Sequence, residues 1–312
     1  MITVKPYMEC KHNEWNNFLE NSKNGIFMFN RNFMEYHKDR FKDFSMMFYD
    51  EDNLVAIMPA SILGYEVHSH GGLTYGGIIT NDKMKQHKMN DCFDALVRYL
   101  KENNVKNLIY KTMPIFYHNI FAQEDLYPLW KNGAKLIRRG ISTTVDLNNP
   151  LKMPKGRKAQ ISRAKREGVV VEESKKFDKF IELENEVLSK HHGTTAVHTG
   201  KELELLNSRF PEGVKLYVAK TEDKIIAGTL LFIYKNVVHT QYMASSEIGR
   251  EIGGLDLLIS TLIDNFKGSK KYFDFGISTE QDDKFFNQGL CAQKEGFGGR
   301  TTVYDIYELE IV

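Results

Sequence analysis

Two glycine-rich turns and one histidine-rich loop are where this sequence is best equipped for chemistry. The stretch Ser245-Ser246-Glu247-Ile248-Gly249-Arg250-Glu251-Ile252-Gly253-Gly254 follows a strand pattern, Val237 to Ala244, and opens a helical pattern from Leu255. A small turn at the start of a helix presents unpaired backbone N–H groups and a positive dipole end, where a phosphate docks. The same glycines equally suit a strand-to-helix turn that needs only their backbone freedom. An earlier turn, Ser69-His70-Gly71-Gly72-Leu73-Thr74-Tyr75-Gly76-Gly77, places four glycines around Thr74 and Tyr75. They let a ligand approach the backbone while the hydroxyls and His70 offer hydrogen bonds, unless they only form bulges. The loop His191-His192-Gly193-Thr194-Thr195-Ala196-Val197-His198 has irregularly spaced histidines and no nearby acid or cysteine, so it makes no zinc pattern and no metal is expected. Cys291 has no histidine beside it in sequence, which argues against a thiol nucleophile.

The elements that must position these residues occur twice. Phe44 to Ala60 reads as strand, acidic turn, strand, and Lys215 to Leu231 repeats the plan. Asp52, Leu54, Val55 and Ala56 match Asp223, Ile225, Ile226 and Ala227 at an offset of 171. Asp91 to Leu100 and Asp256 to Asn265 share helical apolar spacing at an offset of 165, and each leads into a strand, Leu108 to Tyr110 or Tyr272 to Phe275. Gly140, Thr143, Thr144 and Val145 match Gly298, Thr301, Thr302 and Val303 at an offset of 158. Three collinear matches between elements of the same type argue for a duplicated α/β domain, each copy a mixed sheet with helices on both faces. The turn-forming Asn148-Asn149-Pro150 places the boundary so that the domains are 1–148 and 149–312.

Bulk properties agree with two folded domains. The chain has 312 residues, 42% of them hydrophobic and 27% charged, with no low-complexity run. A formal charge of +1 gives no global electrostatic case for DNA or an anionic membrane, so basic function must be local, as in the run Lys155 to Arg166. The N-terminal segment is charged and lacks the apolar core of a signal peptide, and no apolar stretch is long enough to span a bilayer. Three widely spaced cysteines, Cys10, Cys92 and Cys291, suit reduced thiols in a cytoplasmic protein.

Two segments carry a family resemblance. Gly289-Leu290-Cys291-Ala292-Gln293-Lys294-Glu295-Gly296-Phe297-Gly298-Gly299-Arg300 resembles the F-K-x-x-F-G-G segment of the Fem aminoacyltransferases that build peptidoglycan bridges, and Tyr272-Phe273-Asp274-Phe275-Gly276 resembles their strand ending in D-F/L-G. Arg250 and Gly253 fit the Gln/Arg-x-x-Gly-x-Gly/Ala turn of the wider GNAT acyltransferases, with Leu255 replacing the last small residue. The resemblance implies two tandem GNAT-like domains, in agreement with the repeat. It also implies that Arg250, Gly253 and Gly254 hold the pyrophosphate of an acyl-CoA donor. Lys294 then lies by the reacting carbonyl and stabilises the oxyanion. Asp274 and Glu280 are candidates for the general base. Tyr242, His192, Thr195 and His198, with His70, Thr74 and Tyr75 from the first copy, become candidate acceptor contacts. The basic run resembles the family's R-x-x-I-x-x-A helix, with Lys158 in place of the arginine.

Two departures bear on the donor: the helical arm some Fem enzymes use towards tRNA has no counterpart, and Gln293 replaces an aromatic. The expected function is transfer of an acyl group from acyl-CoA to an amine, as in an amino sugar of an envelope polysaccharide or peptidoglycan precursor. Aminoacyl-tRNA as donor, and a non-catalytic module that binds a glycan precursor, are the alternatives.

Overall fold

The computed structural model describes every residue except Asp223, and of His191 and His192 it describes the backbone alone. Its contacts divide the chain into two units, Met1–Gly140 with Val303–Val312, and Ile141–Thr302.

In chain order the first unit contains β1 (Ile2–Pro6), α1 (His12–Glu20), α2 (Arg31–Met34), β2 (Met46–Asp50), β3 (Asn53–Met58), β4 (Ser61–Leu63) and β5 (Glu66–His68). It continues with β6 (Ile79–Thr80), α3 (Gln86–Glu102), β7 (Asn107–Lys111), α4 (Leu126–Lys131) and the start of β8 (Lys135–Asp146). The second unit contains the rest of β8, then α5 (Lys155–Arg166), β9 (Val170–Ser174), α6 (Phe177–His192), α7 (Gly200–Arg209), β10 (Val214–Thr221) and β11 (Lys224–Ile233). It continues with β12 (Val237–Ser245), α8 (Glu247–Ile252), α9 (Gly254–Phe266), β13 (Tyr272–Ile277), β14 (Thr279–Glu280), β15 (Phe285–Phe286), α10 (Gln288–Glu295) and the start of β16 (Arg300–Glu310).

In the first unit β1-β2-β3-β6 form one sheet, and β4, β5, β7 and β16 lie side by side in another. In the second the order is β8-β13-β12-β11-β10-β9. The apolar spacing of α3 buries Met89, Cys92, Phe93, Leu96 and Leu100 on one face, within the first unit's core. The more apolar α9 buries Leu255, Leu258, Ile259, Leu262 and Ile263, which join Phe273 and Phe275 of β13 in the second core.

The duplication is visible in strand register. In the first hairpin Asp50 pairs with Asn53, Tyr49 with Leu54, and Phe48 with Ala56, so that Val55 is bulged out. In the second Thr221 pairs with Lys224, Lys220 with Ile225, and Ala219 with Ala227, so that Ile226 is bulged out. Each pair is the other shifted by the offset of 171 read from the sequence. The parallel pairs repeat as well: His68 of β5 lies opposite Ile109 of β7, and His239 of β12 opposite Asp274 of β13. A bulge and a register reproduced together are features of one ancestral fold. Asp223, the partner of Asp52 in the repeat, lies outside the described residues.

The units depart from consecutive segments 1–148 and 149–312 in two places, because residues 141–148 belong with the second unit and 303–312 with the first. The physical cause is an exchange of terminal strands. The end of β8, from the first copy, pairs with β13 through Phe273↔Val145. The end of β16, from the second copy, pairs with β7 through Leu108↔Leu309. Adjacent spacing in sequence carries no trace of such an exchange.

In the first unit the glycine-rich turn is sealed by Lys111, whose Nζ donates to the carbonyls of His70 at 3.0 Å, Gly71 at 3.3 Å and Leu73 at 2.8 Å. Burial pushes this lysine down to about 8. Lys111→Met strips three carbonyls of their donor and is expected to lower unfolding free energy by about 2 kcal/mol. Urea denaturation checks this, and wild-type stability in the variant would show that water replaces the ammonium without loss.

Candidate active site

The second unit holds a buried acid at the centre of its sheet. Phe273 and Phe275 turn one face of β13 to the core, so alternation sends Asp274 to the other face, where it is 0% exposed. Its Oδ1 accepts hydrogen bonds from Ser142 Oγ at 2.7 Å and Thr144 Oγ1 at 3.0 Å, both on β8. Its Oδ2 lies 2.8 Å from Nδ1 of His239 on β12. A carboxylate removed from water needs such partners, and here two neighbouring strands supply them. Among the described residues the pairing of β12 with β13 runs from Val237↔Tyr272 to His239↔Asp274, while both strands continue further. The acid–imidazole pair thus stands where two parallel strands part. Gly276 takes the left-handed conformation (φ +70), and a Cβ there would sit 3.2 Å from Cε1 of His239.

Lys294 joins this end of β13 from α10, a helix capped where Asn287 accepts from the N–H of Leu290. Its Nζ donates to the carbonyls of Gly276 at 3.0 Å and Ile277 at 2.6 Å, and the side chain is 4% exposed. Burial pushes its ammonium down to about 8, against the opposing charge of Asp274. The structure therefore brings together the two residues singled out as catalytic, Lys294 and Asp274. The rest of the motif fixes the fold: Phe297 stacks on Phe275 at 5.5 Å, and the guanidinium of Arg157 lies 4.0 Å from the Phe297 ring. Gly298 has φ +93, and a Cβ there would meet the Leu151 carbonyl at 2.5 Å. Cys291 is buried, with its sulfur 3.9 Å from Thr143 Oγ1.

Of the remaining positions in this unit, Tyr242 and His198 also meet, with the phenol oxygen 2.7 Å from Nδ1. Register shifts in β12 opposite Leu230 and Leu231, where Tyr242 and Thr240 are paired and Gln241 is bulged out. Burial pushes Tyr242 up to about 12. Thr195 is exposed in the same loop, and the side chain of His192 lies outside the described residues. Arg250 is exposed and donates to the Ser245 carbonyl at 3.2 Å. Gly253 and Gly254 are buried at the junction of α8 and α9. A Cβ on Gly253 would come 2.5 Å from the Gln160 carbonyl of α5, and one on Gly254 would come 3.0 Å from Ile226 Cδ1. The N–H groups of this turn are partly engaged, since Ser246 Oγ accepts from Gly249.

His70, Thr74 and Tyr75 belong to the first unit. His70 is buried with φ 60, its ring 5.7 Å from that of His37 and 5.4 Å from that of Phe41. Burial pushes its imidazole down to about 3. Tyr75 is buried against Tyr117 at 4.7 Å, and Thr74 is exposed. Ile109 occupies the place that Asp274 holds in the second unit, so only the second copy has the acid.

Sequence reasoning missed His239. The available signal was a polar residue inside the apolar run Val237-Val238-His239, but nothing in the spacing links it to an acid 35 residues away. Among the described residues no group of three or more histidines, cysteines or acids is placed to hold a metal, and no helix is long and apolar enough to cross a membrane.

Residues 155–285 match the family described as Acetyltransferase (GNAT) domain. That match and the repeated fold define the architecture as two tandem GNAT-like units, the second of which carries the acetyltransferase-type domain. Similar solved structures include FemX, at 12% identity and a TM-score of 0.70, covering 98% of this chain and 97% of that one. L-PGS from Bacillus licheniformis is similar at 14% identity and a TM-score of 0.65, covering 98% and 93%. A tandem GNAT protein from the clavulanic acid biosynthesis pathway is similar at 9% identity and a TM-score of 0.55, covering 100% and 99%. At these identities the likeness is one of fold. Comparison with curated proteins gives no match.

Asp274→Asn cannot accept from three donors at once and removes the charge opposite His239. The expected cost is about 3 kcal/mol of unfolding free energy, read by urea denaturation. A variant as stable as the wild type would mean that the carboxylate is dispensable to the sheet.

Proposed function

We propose that the protein transfers an acyl group from acyl-CoA to a primary amine, with an amino sugar of a cell-envelope precursor as acceptor and the cytoplasm as the place of reaction. The observation that carries this reading is the ammonium of Lys294, buried at the parting of β12 and β13 and held on the carbonyls of Gly276 and Ile277. The amine nitrogen attacks the thioester carbonyl, the carbonyl oxygen gains negative charge, and the C–S bond breaks as the tetrahedral intermediate collapses. A fixed ammonium out of bulk water stabilises that oxygen more than the neutral ground-state carbonyl. Asp274 has no exposed surface and acts as a positioning residue for His239 and, through β13, for the carbonyls under Lys294. Arg250 is the exposed cation of the proposed pyrophosphate turn.

A second reading, aminoacyl-tRNA as donor, is favoured by one feature. Helix α5 exposes Lys155, Lys158, Lys165 and Arg166, cations suited to a nucleic-acid backbone. Acyl-CoA turnover without RNA favours the first reading, and strict dependence on charged tRNA the second. Ligand binding without turnover from either donor would leave a glycan-binding module.

If the turn after β12 holds CoA, saturating CoA at about 100 times its Kd stabilises the wild type by about 2.7 kcal/mol, and Arg250→Glu removes most of that shift. Arg250 is the better position for this test, because any side chain on Gly253 collides with Gln160 whether or not CoA binds. Equal thermal shifts in both proteins would remove the turn from the donor site.

Lys294→Met keeps the stem and removes the charge. A loss of roughly a hundredfold in kcat with little change in KM is expected. In the wild type the rate should fall as pH rises through about 8, where the ammonium loses its proton. Undiminished turnover by a folded Lys294→Met protein would assign the lysine to fold closure alone.

A further inference from the structure

Glu184 is a carboxyl buried within the second unit. It lies on α6 one turn beyond Phe180, whose ring covers Gly228 of β11 closely enough that a Cβ there would come within 2.6 Å. The residue is 5% exposed, its neighbours on the helix include the buried Phe177, Phe180, Ile181 and Leu183, and among the described residues its Oε2 has no hydrogen-bond partner. Leaving a carboxyl oxygen unpaired in such surroundings lowers stability, so packing gives no account of an acid at this position.

The elements around it narrow what it faces. The inward side of α7 is Gly200, Leu203, Leu206 and Asn207, none of them ionisable. The titratable residue of β11 is Lys224, at the hairpin end of the strand. From β12 comes Tyr242, whose phenol feels the charge of Glu184, and ahead of α7 comes His198, bonded to that phenol. His239 is the other titratable group of β12 and is paired with Asp274. Burial alone raises Glu184, to about 7, which leaves it half ionised at neutral pH. A carboxyl poised there suits proton transfer from an ammonium better than an ordinary exposed glutamate.

We propose that Glu184, with Tyr242 and His198 as the polar wall beside it, receives the ammonium group of the acceptor and takes its proton. The inference rests on the acyl-transfer reading and supplies its general base. The acceptor enters as R–NH3⁺ and gives one proton to the Glu184 carboxylate. The free amine forms the C–N bond by adding to the thioester carbonyl, the C–S bond breaks as the tetrahedral intermediate collapses, the second N–H proton goes to the departing thiolate, and Glu184 returns its proton to solvent. Products are the amide and the CoA thiol.

Glu184→Gln keeps shape and burial and removes the titration. With acetyl-CoA and a panel of amino sugars, the variant is expected to lose on the order of a hundredfold in kcat/KM for the amine at pH 7, with the KM for acetyl-CoA unchanged. The wild type is expected to gain rate as pH climbs through about 7, and that rise should be absent from the variant. A second readout needs no substrate. Because the folded protein holds this carboxyl above its ordinary value, the wild type loses stability as pH rises from the unfolded value to about 7. The variant should therefore melt above the wild type at pH 8, and the gap should close towards pH 4. An active wild type with an equally active Glu184→Gln variant overturns this inference and leaves acyl transfer standing. A wild type inactive with every donor and amine overturns acyl transfer, and the role of Glu184 with it. A melting gap that does not change with pH shows that the carboxyl is not a buried titrating group, and overturns the inference independently of activity.

Discussion

A carboxylate with no contact with water sets the terms for the second unit. Asp274 must be met by donors, and those donors come from β8 and β12, so one charge fixes three adjacent strands at the same height. Other features follow from it. His239 is oriented through its Nδ1, and Gly276 takes a left-handed conformation that favours glycine, with the imidazole 3.2 Å from where a Cβ would sit. The two carbonyls beyond Asp274 then become the seat of the Lys294 ammonium. Replacing such a cluster by apolar residues is often neutral or stabilising in proteins generally, so its presence points to use rather than to stability.

The same frame without the acid is visible in the first unit. The pair of β5 with β7 keeps the register of β12 with β13, yet Ile109 stands in place of Asp274. A half-buried lysine is present there too, but Lys111 spends its donors on three carbonyls of the glycine-rich turn. That turn closes on itself, with His70 held neutral by burial and Tyr75 packed on Tyr117. One duplicated scaffold carries a polar network in one copy and core residues in the equivalent region of the other.

The duplication was legible because its evidence is periodic: a hairpin with a shared bulge repeats at a fixed offset, and the bulged residues Val55 and Ile226 were already aligned in the sequence. Lys294 and Asp274 lie in short motifs that keep their spacing, and the structure brings these two motifs together at one end of β13. What escaped depends on distance through space. His239 meets Asp274 across two strands, and the exchange of β8 and β16 is a choice between equivalent partners that strand patterns do not encode. Glu184 escaped for a different reason, since a glutamate in the stretch Ile181-Glu182-Leu183-Glu184-Asn185-Glu186 looks like part of a solvated helix face until its burial is seen. The sequence suggests that Gly253 makes room for a phosphate, while the structure shows it making room for the backbone of Gln160.

The central claim is that an amide forms at the expense of a thioester. The most direct measurement is mass spectrometry of a reaction containing isotopically labelled acetyl-CoA and nucleotide-linked amino sugars, with free CoA thiol counted in parallel. The account predicts labelled N-acyl sugar and CoA thiol in equal amounts, formed by the wild type and suppressed in Lys294→Met. Thiol release without labelled amide, or no product from any donor–acceptor pair, would contradict it.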